Sequence, residues 1–345
     1  MYRTKVGVDL AKKVIQVCIY RDKKVLSNEE MTPDEFLCWL INAKPATIIF
    51  EACGTSNYWL QRAIDAGHDA RLISAKLVSI VRQNQKTDKN DALAIIQAAL
   101  LPDITFISGK SVEQQQLQSI QRLRELAIKQ RDASRKQIIA LLLELNFRSP
   151  NNGAGMIRKI EDIVEDAENG LSMEFRQAIN AAKNQFELVV VTIATYDMSL
   201  EKSIQIHPDC KKLLKLEGVG PINAVNLYIS LGCAELGTFN KGKNASACIG
   251  LTPIQHSTGG KVKLGTIGKK CKNSMLRSQL ISGAMSVVRQ VVKREAKTKK
   301  EMWLKALAER RGNKCAAVAL ANKTVRTAFA MLTQGTEYKA ELLAA

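Results

Sequence analysis

The chain has 345 residues, more than one ordinary hydrophobic core accommodates, so at least two globular units are expected. Lys and Arg outnumber Asp and Glu by 51 to 33, and the resulting formal charge of +18 sets up a field that attracts polyanions, of which nucleic acid is the commonest. The eight cysteines form no C-x-x-C pair, Met1 to Lys5 lack the apolar stretch of a signal peptide, and no apolar run could span a bilayer; these features exclude a disulfide framework and a membrane span, and imply a soluble cytoplasmic protein.

Thr4 to Val8, Val14 to Tyr20 and Lys23 to Ser27 read as three short strands, the last two joined by a polar turn at Arg21-Asp22. Pro33 opens a helix to about Asn42, and the β-branched, uncharged run Ala46 to Phe50 has the texture of a buried strand. Ser56 is placed to cap a helix to about Ala66, and Ala70 to Ile73 gives a further strand before more helix. Strands alternating with helices define an α/β region, 1–108, with a mixed, covered sheet.

The texture changes from Ser111 to about Phe147, where Leu117, Ile120, Leu123, Leu126, Ala127 and then Ile138 to Leu145 recur at helical spacing. Pro150-Asn151-Asn152-Gly153 breaks this helix, and a second helical stretch from about Met173 to Ile206 is expected to fold back along it. Residues 109–208 therefore form a helical middle region, an antiparallel pair or dimerising coil; a plain linker fits the pattern equally well. A third region, 209–345, is mostly helical and holds the charge excess: between Thr238 and Lys300 every charged residue is Lys or Arg except Glu295. With only 5% aromatic residues, backbone recognition is favoured over an extended array of base-stacking platforms.

Four acids stand where they could converge. Asp9 ends the first strand in Val6-Gly7-Val8-Asp9, and Glu51 holds the equivalent position after Ala46 to Phe50. Asp88 and Asp91 in Lys86-Thr87-Asp88-Lys89-Asn90-Asp91-Ala92 are three apart at a helix start and share a face. Singly, each has an ordinary use as a turn residue or helix cap. Together they offer hard oxygen ligands for two Mg²⁺ or Mn²⁺ ions, which would relieve the repulsion between converging carboxylates.

In the basic region, Leu213 to Pro221 with Gly218 and Gly220 reads as a helix-hairpin-helix whose glycines let backbone approach phosphate. Gly237 to Asn244 nearly spells a phosphate-binding loop, but Asn244 stands where a hydroxyl should reach magnesium and no buried strand precedes it, so that reading is rejected. Farther on, Gly250-Leu251-Thr252-Pro253-Ile254-Gln255-His256-Ser257-Thr258-Gly259-Gly260-Lys261 reads as a loop that places hydroxyls in a glycine turn, with Lys261, Lys263, Lys269 and Lys270 able to neutralise phosphate.

Gly7-Val8-Asp9-Leu10-Ala11-Lys12, Phe50-Glu51-Ala52-Cys53-Gly54-Thr55 and Lys86 to Ala92 resemble, in order, the three acidic motifs of the DEDD insertion-sequence transposases, the IS110 family with its IS1111 subgroup and the Piv-type DNA invertases. His256-Ser257-Thr258-Gly259-Gly260-Lys261, with Leu276-Arg277 downstream, is similar to the signature of that family's C-terminal domain, so the resemblance spans nearly the whole chain. It implies a RuvC-like (ribonuclease-H-like) catalytic domain, a helical coil and a transposase domain with the helix-hairpin-helix. It further implies Asp9, Glu51, Asp88 and Asp91 as metal-holding catalytic acids, Ser257 (with Thr258 as the alternative) as a nucleophile forming a phosphoserine link, and Gly218, Gly220, Lys261, Lys263, Lys269, Lys270 and Arg277 as nucleic-acid contacts. Double-stranded donor and target DNA, a noncoding bridge (seeker) RNA, a homodimer or homotetramer and a nucleoid-associated prokaryotic location follow from the resemblance alone. The alternative is a metal-dependent invertase or junction resolvase that hydrolyses DNA without RNA guidance.

Overall fold

The computed structural model describes residues 3–233, 239, 241–268 and 274–341. The chain divides into two compact units, one made of 1–115 with 209–345 and the other of 116–208.

The first unit begins with a meander of β1 (Lys5–Leu10), β2 (Ile15–Arg21) and β3 (Lys24–Met31). The β2–β3 turn is Asp22-Lys23, one residue later than expected; both have positive φ, as a two-residue turn matching strand twist requires. Helix α1 (Pro33–Asn42) starts in a capping box, the Glu35 amide donating to the Thr32 hydroxyl and the Thr32 amide to the Glu35 carboxylate at 2.7 Å. Strand β4 (Thr47–Glu51), helix α2 (Ser56–Asp65), strand β5 (Asp69–Ile73) and helices α3 (Ala75–Val81) and α4 (Asp88–Ala99) complete the region. Ser56 does not cap α2. Thr55 is the cap residue, while the Ser56 hydroxyl donates to the Cys53 carbonyl at 2.9 Å and accepts from the Cys53 amide, closing the turn after β4.

The sheet order is β3-β2-β1-β4-β5, with β1 antiparallel to β2 and parallel to β4. Alternation along the strands sorts the core into two layers. Val6, Val8, Ile48 and Phe50 point to one face and pack with Phe36 and Leu40 of α1 and Trp59 and Leu60 of α2. On the other face, Ile49 and Ile73 meet Ala94, Ile95 and Ala98 of α4, and Cys18 meets Ala92 and Ile96. Gly7 belongs to this second face. A Cβ there would lie 2.2 Å from the Ala92 carbonyl oxygen, so only glycine lets α4 seat this close to β1.

Among the described residues, the remainder of this unit is helical except for one hairpin and the connecting turns. Helices α8 (Pro208–Leu213) and α9 (Pro221–Leu227) flank a turn, and a π-helical segment, Tyr228–Cys233, continues from α9. After α10 (Gly242–Cys248), strands β6 (Pro253–Thr258) and β7 (Lys261–Ile267) form an antiparallel ribbon, followed by α11 (Ser274–Val292), α12 (Lys299–Arg311) and α13 (Asn313–Gln334). Leu276, Leu280, Ala284 and Val288 of α11 and Ala316, Leu320, Val325 and Ala328 of α13 are buried. Glu217 holds the end of this region: Lys300 Nζ donates to it at 2.6 Å and the Tyr338 hydroxyl donates at 2.5 Å.

The second unit contains α5 (Val112–Glu144) from residue 116 onward, α6 (Gly153–Glu165) and α7 (Met173–Ile206). Residues 153–165, which the sequence reading leaves as connection, form a helix capped by Asn152, whose side-chain oxygen accepts from the Gly155 amide at 2.7 Å. Helices α5 and α7 run antiparallel: Arg124 pairs with Asp197 near one end, while Ile138 and Leu142 share a core with Ile179 and Phe186 toward the other. Leu123 and Leu126, expected on the apolar stripe, are exposed; the buried positions on α5 include Leu117, Gln121 and Ala127. Among the described residues no helix is long and apolar enough to cross a membrane, and the six cysteines whose side chains are described are free thiols.

Candidate active site

Asp9 lies within the C-terminal end of β1, and strand alternation puts its side chain on the same face as Gly7, toward α4. The parallel register pairs Gly7 with Ile49 and Val8 with Phe50, so Asp9 and Glu51 stand side by side at the ends of neighbouring strands, Glu51 on the face of Ile49. Helix α4 lies over that face. Thr87 caps it, its side chain accepting from the Asn90 amide at 3.3 Å, which makes Asp88 its first residue and sets Asp91 one turn on, nearly buried.

The electrostatics report the convergence. Burial, then the charges of Asp91 and Asp88, push the Asp9 carboxyl above the ordinary carboxylate range, against the Leu10 amide and Lys86, which pull it down. Burial, then Asp9 and Asp91, push Glu51 up likewise, against Lys86 and Arg82. Arg82 is the cation in direct contact with the acids, its Nη1 donating to Asp91 Oδ1 at 2.8 Å. Among the described residues no three Asp, Glu, His or Cys side chains are drawn together closely enough to hold a metal ion as they stand. The donor set nevertheless fits a hard divalent cation. Four oxygen-bearing acids crowd one crevice, and both Asp9 and Glu51 lack the positive charge that would return them to ordinary titration.

Residues that the sequence reading did not single out hold this arrangement. Gln16 sits opposite Asp9 in the β1–β2 register; its amide donates to Asn28 Oδ1 at 2.8 Å, and Asn28 Nδ2 donates to the Lys89 carbonyl at 2.9 Å. This relay ties β2 and β3 to the first turn of α4. Gln16 is 1% exposed, and among the described residues its Oε1 has no hydrogen-bond partner. The readable signal was a Gln in the otherwise apolar run Ile15 to Ile19.

Ser257 is on a strand, not in the glycine turn where the sequence reading places it. It pairs with Val262 in the ribbon, and Gly259 and Gly260, both with positive φ, make the turn beyond Thr258. The Ser257 hydroxyl accepts from Gln255 Nε2 at 2.9 Å. Alternation sends His256 to the opposite face from Ser257. Every residue of the ribbon is exposed apart from partly covered Ile254. Among the described residues, no hydrogen bond or ion pair joins Ser257 or Thr258 to Asp9, Glu51, Asp88 or Asp91.

Lys261 and Lys263 lie on β7, exposed, while Lys269 and Lys270 fall outside the described residues. Arg277 is engaged within the fold: its Nε donates to the Gly250 carbonyl at 3.0 Å, and a Cβ at Gly268, which has positive φ, would strike its guanidinium. Gly218 likewise has an internal use, since its backbone packs directly on Gly283 of α11, and Gly220 caps α9.

A transposase family model of the DEDD, IS110 type matches residues 6–147, the span containing all four acids. A second model, described as the IS116/IS110/IS902 transposase family, matches residues 210–300, the span containing the ribbon. The chain is 33% identical over 334 residues to the transposase for insertion sequence element IS1111A of Coxiella burnetii, covering 96% of this chain and 90% of that protein. The chain belongs to the IS110 family of transposases. Other members that this transposase resembles are a probable family 20 transposase of Pseudomonas aeruginosa, 32% identical over 98% of this chain and 99% of that protein, and the transposase for insertion sequence element IS1328 of Yersinia enterocolitica, 25% identical over 97% and 98%.

Proposed function

We propose that this transposase cuts and rejoins DNA strands of an insertion sequence with divalent metal held by Asp9, Glu51, Asp88 and Asp91 and with Ser257 as the attacking group. The observation that carries the reading is the crevice at the ends of β1 and β4. Two strand-end acids and two acids from the first turn of α4 border it, and burial first, then repulsion between these acids, raises Asp9 and Glu51. The sheet order and the siting of the acids support a RuvC-like domain spanning 1–108, followed by a helical region over 109–208 and the transposase domain over 209–345.

A bound Mg²⁺ or Mn²⁺ would supply Lewis acidity at the scissile phosphate. The acids would hold it and offset its charge; Arg82, already on Asp91, is the group that would share that carboxylate. Ser257 Oγ attacks phosphorus, the Oγ–P bond forming as the bond to the leaving deoxyribose oxygen breaks, and that oxygen departs as a hydroxyl with the serine proton. Attack by a strand hydroxyl on the phosphoserine reverses the step, so rejoining conserves the phosphodiester energy. Because Ser257 has no bond to the four acids, completion of one centre from two chains of a dimer or tetramer accounts for the arrangement. Lys261 and Lys263, with Lys269, Lys270 and Arg277 nearby in sequence, supply positive charge beside the ribbon for donor and target DNA and for a guide RNA encoded by the element. The expected location is the cytoplasm, on the nucleoid.

The test is a nicked DNA substrate that traps covalent protein. Wild type is expected to form an adduct that Ser257→Ala loses and Thr258→Ala retains, while Asp9→Asn forms none. Adduct formation by both hydroxyl variants would overturn the serine assignment. Cleavage by both without any adduct would instead establish hydrolysis by the acids alone, as in a junction resolvase.

A further inference from the structure

A groove of about 1270 Å³ lies in the helical part of the first unit, bounded by the start of α10, the base of the ribbon, α12 and α13. Its construction is specific. Gly242 brings α10 onto α13, where a Cβ would come within 3.2 Å of the Arg326 backbone, and Asn322 Nδ2 donates to the Leu251 carbonyl at 3.0 Å, fixing the chain that leads into β6. Pro253 and Ile267, a register pair at the foot of the ribbon, form one end.

The lining has two chemistries. Lys241, Lys243, Lys314, Lys323 and Arg326 contribute positive charge, and among the described residues no Asp or Glu lines the groove. Between them lie Leu251, Val318 and Phe329, with Trp303 at 38% exposure. Lys323 Nζ sits over the Trp303 ring, 4.9 Å from its centroid. Five cations without an acid call for a polyanion. A duplex would offer only phosphates and leave the apolar lining unused, whereas an unpaired strand presents phosphates and bases together. The low aromatic content limits the chain to few stacking positions, and a single indole beside a row of cations provides one.

We propose that this groove holds an unpaired segment of single-stranded DNA, with Trp303 stacking one base and Lys323 and Arg326 on the adjoining phosphates. Lys323 leaves the ring face for phosphate as the base arrives. The groove ends at the foot of the ribbon, so a strand lying in it runs toward Ser257. The inference rests on DNA being the substrate, as the proposed function holds. It concerns binding alone and is read without metal, so it can fail while strand transfer persists, and it can hold if Ser257 proves inert.

Cys315 lines the groove and is an exposed free thiol, which gives a reporter at the site itself. In the full-length protein, alkylation of Cys315 by N-ethylmaleimide is followed by peptide mass, with exposed Cys38 and Cys53 as internal controls. An oligothymidylate of about 12 nucleotides, a typical single-strand site length, is the probe. At ten times its Kd it is expected to slow Cys315 alkylation about tenfold by mass action, leaving Cys38 unchanged. Trp303→Ala is expected to weaken binding about tenfold, and Lys323→Gln with Arg326→Gln to lower the salt slope by about 1.4. Both changes are on partly exposed side chains, and an unchanged melting temperature verifies that they leave the fold intact.

Unprotected Cys315 at saturating oligonucleotide would overturn the proposal, as would wild-type affinity in both variants. Equal protection by duplex, or tighter protection by oligouridylate, would overturn the assignment to single-stranded DNA. Cys315 that is unreactive in the free protein would show the groove filled by protein, from this chain or a second copy.

Discussion

Gly7→Ala tests the seating of α4 on β1, and through it the acid site. The added methyl would lie 2.2 Å from the Ala92 carbonyl oxygen and 2.7 Å from Ile96 Cγ1. Carbon–oxygen contacts normally open to about 3.3 Å, so α4 must withdraw by about 1 Å at this point. The oxygen belongs to backbone and cannot turn aside, and overpacking of this kind costs about 1–3 kcal/mol. At about 2–4 °C per kcal/mol the melting temperature should fall by roughly 2–12 °C, read by differential scanning calorimetry. Asp88 and Asp91 ride on the first turns of the same helix, so the withdrawal moves them from Asp9, and a 1 Å misplacement costs about 100-fold in rate. Strand cleavage measured well below the lowered melting temperature separates the two effects. A Gly7→Ala protein that melts and cleaves like wild type would refute the close-packing argument.

Other consequences follow from the charges. Asp9 and Glu51 have raised folded-state pKa values, so their protonated forms favour the fold; that contribution is present at low pH and lost as pH rises through the raised values. Metal-free protein should therefore lose stability as pH rises out of the ordinary carboxylate range through the raised values, and Mn²⁺ at 100 times its Kd should restore about 2.7 kcal/mol in wild type but much less in Asp9→Asn, followed by thermal shift. Glu217 shows the opposite sign: burial would raise it, but the Lys300 and Tyr338 bonds outweigh burial and hold it low. Its stabilisation is present above the ordinary carboxylate range and lost as pH falls, and Glu217→Gln should cost about 1–3 kcal/mol near neutrality and flatten that acid limb in chemical denaturation. Arg176, 8% exposed, donates to the Ile163 and Val164 carbonyls at the end of α6; Arg176→Met should cost about 2–4 kcal/mol and speed hydrogen exchange over residues 163–176.

The acid site was legible because its parts obey local rules. Strand periodicity located the ends of β1 and β4, and the spacing of Asp88 and Asp91 put them on one helix face, so convergence required only the β1–β4 register. The groups that hold the site were not legible. Arg82 reaches Asp91 from the end of α3, and Asn28 reaches Lys89 across 61 residues, contacts that no local period encodes. Helix α6 was missed because Pro150 and Gly153 read as a break, whereas Asn152 turns that break into a helix start. Ser257 was placed in a turn because Gly259-Gly260 dominates its neighbourhood; the Gln-His-Ser-Thr run before the glycines lacks the polar–apolar alternation that marks a half-buried strand, while Lys-Val-Lys-Leu after them has it although Val262 and Leu264 are exposed. Gly218 and Arg277, read as nucleic-acid contacts, also have uses inside the fold that the sequence did not announce.

A two-stranded ribbon with both faces in water draws almost no stability from its own chain. Its shape is set by whatever lies against it. If the cutting hydroxyl resides there, the enzyme keeps its nucleophile on an arm that stiffens only on an assembled substrate, while the acids wait on a rigid sheet. Under that proposal the separation would act as an interlock: a lone molecule would carry both halves of the chemistry with neither aligned to the other.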